Sequence, residues 1–278
     1  MMMKWIQLLR IRQWVKNGFV LAPILFAGEL NDLTAWLHIG VATLLFCIAA
    51  SAVYVLNDLV DLPKDRLHAD KLKKRPLAAG TLAPWQAKIA LFFLYGFLFL
   101  GSLWSPQILM PITLYIILNI AYSLYLKHQP VLDIFCIALG FVLRVYTGAQ
   151  AISVPVSSWM FITTLCLALY LAAIKRRQEL QQRGSESRQV LAEYTVKLAD
   201  RYAQMSATGA FVFYSLFVVS VRPEMVMSIP LVLYGLFRYW WVVETRAEGE
   251  SPTDVLLSDK PLMITVLLWL LVWIQFVE

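Results

Sequence analysis

The stretch from Asn57 to Gly80 reads NDLVDLPKDRLHADKLKKRPLAAG and lies between two apolar runs of the chain. It holds four Asp side chains and seven Lys, Arg or His side chains within 24 residues. Charged side chains are costly inside hydrocarbon, so a cluster of this density is not expected within a bilayer core. The stretch therefore predicts a polar segment at a membrane surface, and its charges need a binding partner.

The composition indicates a protein that crosses a membrane many times. The chain has 278 residues, of which 60% are hydrophobic and 15% charged, and its mean hydropathy is +0.66; soluble domains carry about 25% charged residues. A helix needs about 20 apolar residues to cross the hydrocarbon core. We predict an all-α polytopic membrane protein with nine transmembrane helices, at residues 14–30, 35–56, 84–104, 107–126, 131–152, 156–174, 204–221, 224–243 and 261–277.

The positive charges are distributed unevenly along the chain. With nine helices, 22 of the 24 Lys and Arg residues fall on one side, Arg222 falls on the other, and Arg144 lies within the fifth helix. Cytoplasmic loops carry an excess of Lys and Arg, so we expect the N-terminus in the cytoplasm and the C-terminus outside. Residues 1–28 also resemble a signal peptide, but Pro23 inside the apolar run favours a first transmembrane helix.

The sequence contains no segment that predicts a separate soluble domain. We expect a single transmembrane domain, residues 1–278, with cytoplasmic loops at about 57–83, 175–203 and 244–260. Functional side chains are therefore expected in these loops and at the helix ends beside them.

An acidic face begins the stretch at Asn57. Asn57, Asp61 and Asp65 recur every four residues, and Asp58 lies three residues before Asp61. On a helix that extends the second span, these side chains share one face. Carboxylate and amide oxygens suit Mg²⁺, which usually takes one or two carboxylates together with substrate phosphates. We predict all four as catalytic residues, and Asn57, Asp61 and Asp65 as ligands of Mg²⁺, with Mn²⁺ as a substitute.

Cationic side chains follow the acidic face directly. They are Arg66, His68, Lys71, Lys73, Lys74 and Arg75. Arg and Lys pair with phosphate oxygens, so this order predicts a site for a metal-bound diphosphate, with Arg66, Lys71 and Arg75 in contact with the substrate. The alternative interpretation is a solvated loop that obeys the positive-inside rule. It accounts for the lysines but not for four acidic or amide groups on one face.

The motif N-D-x-x-D-x-x-x-D at 57–65, followed by RPLAAG at 75–80, resembles the first aspartate-rich motif of the UbiA superfamily of intramembrane prenyltransferases. Further segments resemble its polyprenyl-phosphate (decaprenyl-phosphate) phosphoribosyltransferase branch. They are LRIRQWVKN at 9–17, AYSLYLKHQPVLDI at 121–134, GFVLRVYTGAQA at 140–151, KRRQEL at 175–180, EYT at 193–195 and DVLLSDKPL at 254–262. The resemblance covers the whole chain and implies nine transmembrane helices around a cavity open to the cytoplasmic side.

One segment departs from the commoner pattern of the superfamily. Members that prenylate aromatic rings usually carry a second acidic cluster after the sixth helix, which helps to bind a second Mg²⁺. This chain reads KRRQELQQRGSESRQ at 175–189 instead. We predict a basic wall here, in which Lys175 and Arg176 offset the repulsion between two phosphate-bearing substrates. The alternative is that these charges only set the orientation in the membrane.

Further site residues follow from the resemblance. It implies that Tyr122, Lys127 and Asp133 face the cavity, although the residues alone also fit an interfacial anchor and a helix cap. It implies that Lys16 binds a phosphate, where the alternative is a snorkelling anchor. We also expect Tyr194 and the segment 251–262, which includes Asp254 and Asp259, to cap the site from below.

Arg144 is the one charge predicted deep inside a span. It lies 11 residues after Asp133, which is about 16 Å along a helix. A charge at that depth is costly and is usually functional or paired inside the bundle. We expect Arg144 to line the cavity and to contact the substrate.

The resemblance implies a membrane enzyme that transfers 5-phosphoribose from phosphoribosyl diphosphate to a polyprenyl phosphate and releases diphosphate. Prenyl transfer from a prenyl diphosphate to an aromatic or other small acceptor is the first alternative, and a transporter or flippase for an anionic lipid is the second. The expected location is the bacterial inner (plasma) membrane, and no nucleic-acid partner is expected. A requirement for a metal ion would favour either enzyme over the transporter. The identity of the donor substrate distinguishes the two enzymes from each other.

Overall fold

The apolar runs of the sequence form long helices. The computed structural model describes residues 2–67, 69–183, 189–246 and 252–276, and in these residues all regular structure is helical. The α-helices are α1 (Met2–Leu9), α2 (Ala22–Ala27), α3 (Leu33–Val60), α4 (Leu62–Asp65), α5 (Ala69–Lys74), α6 (Pro84–Trp104), α7 (Leu109–Leu124), α8 (Leu132–Ala151), α9 (Ser158–Arg183), α10 (Val196–Val221), α11 (Ser228–Arg246), α12 (Pro252–Ser258) and α13 (Lys260–Phe276).

Six helical segments of the described chain are long and apolar enough to cross a membrane. They are Leu33–Val60, Pro84–Trp104, Pro106–Leu124, Leu132–Ala151, Ser158–Gln182 and Val196–Val221, and they match the second to seventh predicted spans. The eighth predicted span corresponds to α11, which ends in charged residues, and the ninth to α13, which has 17 residues.

The first predicted span is not one regular helix. Residues Ile11–Leu21 form a 3-10 segment, and the short helix α2 follows it. Runs of 3-10 helix longer than three or four residues are uncommon and often mark a functional segment. Tertiary contacts hold this one in place: the Trp14 indole donates to the Ser51 hydroxyl of α3 at 3.0 Å, and the Val20 backbone packs against Gly148 of α8.

Local sequence signals explain the ends of α3. Asp32 caps its N-terminus by accepting a hydrogen bond from the Thr34 N–H at 2.8 Å, as expected for Asp at this position. The helix ends at Val60, and Pro63 lies in the first turn of α4. The aspartate motif therefore lies where one helix stops and another starts. We call the end of the bundle that carries Asn57–Asp65 the motif end.

Polar aromatic packing ties together the opposite end of the bundle. The Tyr214 hydroxyl of α10 accepts hydrogen bonds from the indoles of Trp269 and Trp273 in α13, at 2.8 and 3.4 Å. It also bonds the Ser228 hydroxyl of α11 at 2.6 Å. The three helices are therefore joined at one buried hydroxyl, away from the motif end.

The predicted loop 175–203 is largely helical. Helix α9 continues to Arg183, and α10 begins at Val196. The helix extends because residues 176–179, although charged or polar, are each less than a tenth exposed, and Arg176, Arg177 and Gln178 bond to neighbouring helices.

The close contact between α8 and the N-terminal segment yields a stability prediction. A Cβ atom at Gly148 would lie 1.9 Å from the Val20 carbonyl oxygen, and backbone cannot move aside without cost. Overpacking commonly costs about 1 to 3 kcal/mol, so Gly148→Ala is expected to lower the thermal unfolding temperature in detergent, measured by tryptophan fluorescence.

Gly96 provides the matched control, because a Cβ atom there meets nothing within 4 Å. Alanine favours helix over glycine, so Gly96→Ala is expected to keep or raise the unfolding temperature. Equal unfolding temperatures for Gly148→Ala and the wild type would contradict the tight crossing of Val20 and Gly148.

Candidate active site

The aspartate motif straddles the end of α3. Asn57 and Asp58 lie in its last turn, Asp61 caps it, and Asp65 ends α4. The N–H groups of Asp61 and Asp65 donate to the carbonyls of Asn57 and Asp61 at 2.9 Å, so the helical pattern continues from α3 into α4, but the four side chains do not share one environment. They divide into two pairs with different surroundings, Asn57 with Asp61 and Asp58 with Asp65.

Asp58 and Asp65 are buried and held by arginines. Asp58 is 2% exposed and forms ion pairs with Arg10 at 2.5 Å and Arg75 at 3.2 Å, while Asp65 is 1% exposed and pairs with the same Arg75. The Asp65 side chain, which the sequence predicts as a ligand of Mg²⁺, is therefore enclosed by the protein. Its carboxylate and that of Asp58 instead fix two guanidinium groups.

Arg10 is a further residue of this site, and no pattern in the sequence indicates it. Its backbone is left-handed, with φ of 51°, which is uncommon outside glycine. Its guanidinium lies 4.7 Å from the centre of the Tyr54 ring and bonds Asp58. The segment LRIRQWVKN carries several cations, and nothing in their spacing distinguishes this one.

Asn57 and Asp61 form the accessible pair. The Asn57 side-chain oxygen accepts a hydrogen bond from the Ser123 hydroxyl at 2.7 Å. The Asp61 side chain is 27% exposed and lies 3.5 Å from the Lys127 ammonium. Arg66 is exposed nearby in the chain, and the Lys71 side chain lies outside the described residues.

The oxygen donors at the motif end fit a metal ion only if a bound substrate supplies some of its ligands. Within residues 2–67, 69–183, 189–246 and 252–276, no three His, Cys, Asp or Glu side chains form a group that could hold a metal. Asp61 and Asn57 offer two hard oxygen donors. Mg²⁺ commonly uses one or two carboxylates and takes its other ligands from water and substrate phosphates, and this donor set is compatible with that arrangement.

The basic wall predicted at the end of α9 differs from the observed arrangement. Arg176 is 1% exposed and pairs with Asp133 of α8 at 2.7 Å and with Glu179. Arg177 pairs with Asp200 of α10 and Glu244 of α11. Both guanidinium groups are directed into the bundle because carboxylates of neighbouring helices are available there. Lys175, by contrast, is only partly buried.

A strained turn joins α7 to α8, and Tyr194 holds it. Val131 has φ of 68°, an outlier for a β-branched residue. Its N–H donates to the Tyr194 hydroxyl at 2.9 Å, and that hydroxyl donates to Asp133 at 2.7 Å. Burial and the bond to Asp133 raise the pKa of Tyr194, so the hydroxyl keeps its proton. Tyr122 lies close enough to Arg176 to interact with it electrostatically.

Arg144 is buried among neutral partners. Its guanidinium donates to the Asn17 side-chain oxygen at 2.9 Å, to the Gly140 carbonyl at 2.7 Å and to the Tyr115 hydroxyl at 3.2 Å. It also lies about 5 Å from the centres of three aromatic rings, 5.0 Å for two of them and 5.1 Å for the third. No carboxylate of the described chain forms an ion pair with it. Neutral hydrogen-bond acceptors and aromatic rings therefore stabilise its positive charge, and no carboxylate of the described residues balances it.

Lys16 belongs to the same positive region. Lys175, Arg144 and Arg10 all lie close enough to act electrostatically on the Lys16 ammonium, and Asp254 of α12 acts on it with the opposite sign. The N-terminal segment, α8 and α9 thus bring cations together from distant parts of the sequence. A region of this kind attracts anions.

Asp259 has a structural position. It is 1% exposed, accepts two hydrogen bonds from Arg238 at 3.0 and 2.8 Å, and accepts one from the Leu262 N–H at 3.0 Å. The hydrogen bond from Arg238 is the main reason that the pKa of Asp259 is below its ordinary value. Asp259 therefore joins α11 to the start of α13.

Comparison with known proteins identifies the family. The model of the UbiA prenyltransferase family matches residues 19–257. The chain belongs to the UbiA prenyltransferase family. It is 33% identical to a decaprenyl-phosphate phosphoribosyltransferase of Mycolicibacterium smegmatis, over 95% of this chain and 89% of that protein. It is 32% identical to the enzyme of the same name from Mycobacterium tuberculosis, over 95% of this chain and 91% of that protein.

The fold is that of the UbiA family as well. A solved UbiA homologue from Archaeoglobus fulgidus, bound to DMAPP and Mg²⁺, superimposes with a TM-score of 0.76 at 19% identity and covers 99% of both chains. The recognition of the superfamily from the aspartate motif is therefore confirmed. The apolar helices and the family together make this a multi-pass membrane protein.

The position of Arg176 in this UbiA chain predicts a folding role that can be measured. Removing one partner of a buried ion pair costs about 3 to 5 kcal/mol, so Arg176→Gln is expected to lower the unfolding temperature strongly. The same change at Arg222, which is 3.7 Å from Glu224 with both side chains partly exposed, is expected to cost less than about 1 kcal/mol. Similar unfolding temperatures for the two variants would contradict the buried network.

Proposed function

We propose that this protein transfers 5-phosphoribose from phosphoribosyl diphosphate to a polyprenyl phosphate and releases diphosphate. The observation that carries the proposal is the identity of 32–33% to decaprenyl-phosphate phosphoribosyltransferases over 95% of the chain. The geometry supports it in two respects: the mouth has a pair of accessible oxygen donors beside cations, and a second group of cations lies nearby. The proposed reaction joins two substrates that each carry phosphate groups, so each substrate needs cations around its phosphates.

The first half of the proposed site binds the donor diphosphate. Asn57 and Asp61 would hold Mg²⁺, which supplies positive charge to the leaving diphosphate when bound. Lys127 lies beside Asp61 and is placed to contact a phosphate that shares the metal. Arg75 is fixed by Asp58 and Asp65 and remains 24% exposed, so it keeps N–H groups for phosphate oxygens.

The second half binds the acceptor phosphate. Lys16, Lys175 and Arg144 supply positive charge, and Arg144 has no competing carboxylate among the described residues. In the reaction an oxygen of the polyprenyl phosphate forms a bond to C1 of the ribose, and the bond from C1 to the diphosphate oxygen breaks with its electron pair. The acceptor is already an anion, so no general base is required. Fixed cations around both phosphates stabilise the charge that develops.

The buried networks act as positioning elements in this proposal. Asp58 and Asp65 orient Arg10 and Arg75, while Asp133 and Tyr194 fix the turn that carries Lys127. Side chains held in this way lose little conformational freedom when a substrate binds, which favours precise placement of two anions. The contribution of Arg176 to catalysis is then indirect, through Asp133.

An Asp61→Asn variant tests the donor half. It keeps the size of the side chain but removes the charge that would hold Mg²⁺. We expect kcat/KM with labelled phosphoribosyl diphosphate and a polyprenyl phosphate to fall at least about 100-fold. Changes to residues that only hydrogen-bond a metal ligand already reduce metal affinity or activity about 10- to 100-fold. Activity is expected to require Mg²⁺ or Mn²⁺ and to disappear with EDTA.

Asp32→Asn is the matched control for this experiment. Asp32 is an exposed N-cap of α3 at the opposite end of the helix, and Asn caps equally well, so this variant is expected to retain full activity. Full activity of Asp61→Asn, or of the wild type in EDTA, would exclude the metal-dependent reaction. Turnover of a prenyl diphosphate with 4-hydroxybenzoate, without turnover of phosphoribosyl diphosphate, would instead indicate ring prenylation.

We also propose that all nine predicted spans cross the membrane and that the motif end faces the cytoplasm, which the distribution of Lys and Arg favours. Single cysteines at Lys73 and Pro223, in a background with the three native cysteines replaced, test this orientation. A membrane-impermeant maleimide added to intact cells is expected to label the cysteine at 223, and the cysteine at 73 only after permeabilisation. Equal labelling of both in intact cells would contradict the topology.

A further inference from the structure

Arg144 differs from the other buried arginines of the described chain. Among these residues, three arginines are less than a tenth exposed: Arg144 at 5%, Arg176 at 1% and Arg177 at 6%. Arg176 and Arg177 each pair with two carboxylates, whereas the bonds of Arg144 go to uncharged groups. A buried charge without a counter-ion is costly, so the neutral surroundings of Arg144 need an explanation.

Asn17 is the residue that holds Arg144 without adding a charge. Its side chain is 1% exposed and lies between two partners. The side-chain oxygen accepts a hydrogen bond from Arg144 Nε at 2.9 Å, and the NH₂ group donates to the Cys47 sulfur at 3.2 Å. A guanidinium can only donate, so the oxygen must face Arg144 and the orientation of the amide is fixed.

The packing around Asn17 does not require an amide. Aspartate has nearly the same shape and would also offer an oxygen to Arg144 Nε. Its second oxygen would accept the S–H group of Cys47, because a thiol is a weak donor. A carboxylate at this position would therefore give Arg144 the counter-charge that Arg176 and Arg177 possess. The amide leaves this ion pair unmade, which indicates that the unbalanced charge has a use.

The charge of Arg144 lies beside other cations and has donors available. Lys16 precedes Asn17 in the sequence, and its ammonium lies close enough to Arg144 and Lys175 to interact with both electrostatically. The bonds to Asn17, Gly140 and Tyr115 use three N–H groups of the guanidinium, and an arginine carries more N–H donors than these. The remaining N–H groups suit the oxygens of an anionic ligand.

We propose that Asn17 is a positioning residue that orients Arg144 without neutralising it, so that Arg144 and Lys16 attract a phosphate group of a substrate. This inference rests on the proposed function, which supplies two phosphate-bearing substrates. Asn17 itself does not contact the substrate. Its hydrogen bond fixes the guanidinium, and its neutrality preserves the positive potential that the guanidinium projects.

Asn17→Asp tests the proposal because it keeps the shape and the hydrogen bond but adds a counter-charge. The unfolding temperature in detergent is expected to equal or exceed that of the wild type, since the buried guanidinium gains an ion pair. KM for phosphoribosyl diphosphate or for a polyprenyl phosphate is expected to rise about 10- to 100-fold, the range of hydrogen bonds to charged groups. The substrate whose KM rises is the one whose phosphate lies against Arg144.

A binding experiment makes the test independent of turnover. The protein in nanodiscs is titrated with farnesyl phosphate, with phosphoribosyl diphosphate and with farnesol, which has the farnesyl chain but no charge. Asn17→Asp is expected to weaken the binding of at least one phosphate ligand about ten-fold or more and to bind farnesol as the wild type does. A purely structural role of Asn17 would not distinguish farnesyl phosphate or phosphoribosyl diphosphate from farnesol.

Gly140 offers a second route to the same guanidinium. A Cβ atom at this position would lie 3.5 Å from Nη1 of Arg144, an ordinary contact, so Gly140→Asp brings a carboxylate from α8 and leaves Asn17 intact. Gly140→Ala measures the steric part of this change, and Gly140→Asp is expected to bind the same phosphate ligand about ten-fold more weakly than Gly140→Ala.

Asn31→Asp is the control for the Asn-to-Asp change. Asn31 is exposed in the turn between α2 and α3, away from the motif end. This variant is expected to bind all three ligands as the wild type does and to keep its KM values.

The outcomes separate the inference from the proposed function. If the wild type binds the phosphate ligands but converts no substrate, the proposed function fails, and the binding data alone judge the role of Asn17. Wild-type affinity of Asn17→Asp for both phosphate ligands, or equal weakening for farnesol, would overturn the inference. If Asn17→Asp does not fold, equal phosphate binding by Gly140→Asp and Gly140→Ala would overturn it.

Discussion

A chain of alternating charges crosses the mouth of the bundle, from Arg10 through Asp58 and Arg75 to Asp65. Both carboxylates are at most 2% exposed, and charges removed from water to this degree persist only when a counter-charge is close. These pairs bind the N-terminal segment, the end of α3 and the loop after α5 to one another. The accessible donors Asn57 and Asp61 belong to the same helix end and take their positions from this attachment.

A second buried network stabilises the other side of the mouth. Asp133, Arg176 and Tyr194 join α8, α9 and the segment before α10, and they hold the strained turn at Val131. The cations Lys16, Lys175 and Arg144 come from elements that these two networks fix. The site therefore has rigid surroundings although most of its members lie at helix ends or in turns. Catalysis of phosphate chemistry depends largely on such preorganised charge.

Hydropathy predicted the helical class and the six segments long enough to cross a membrane, and the residue types of the motif predicted the family. Spacing alone did not show that the four side chains of the motif have two kinds of surroundings, because the arginines that hold Asp58 and Asp65 come from other segments of the chain. Adjacent residues of α9 show a second limit. A step of one residue turns a helix by about 100°, so Lys175 and Arg176 have different surroundings, and the partner that decides this, Asp133, is 43 residues away in sequence. The role of Arg10 had no local signal, because it depends on Asp58, 48 residues further along.

The neutral surroundings of Arg144 have a consequence for how the cavity responds to its environment. A guanidinium remains protonated in proteins, and the amide of Asn17 and the carbonyl of Gly140 do not titrate. A guanidinium charge of this kind is constant over the physiological range of pH, in contrast to a site built on histidine. A change of pH would alter the ionisation of bound phosphate ligands without altering this charge.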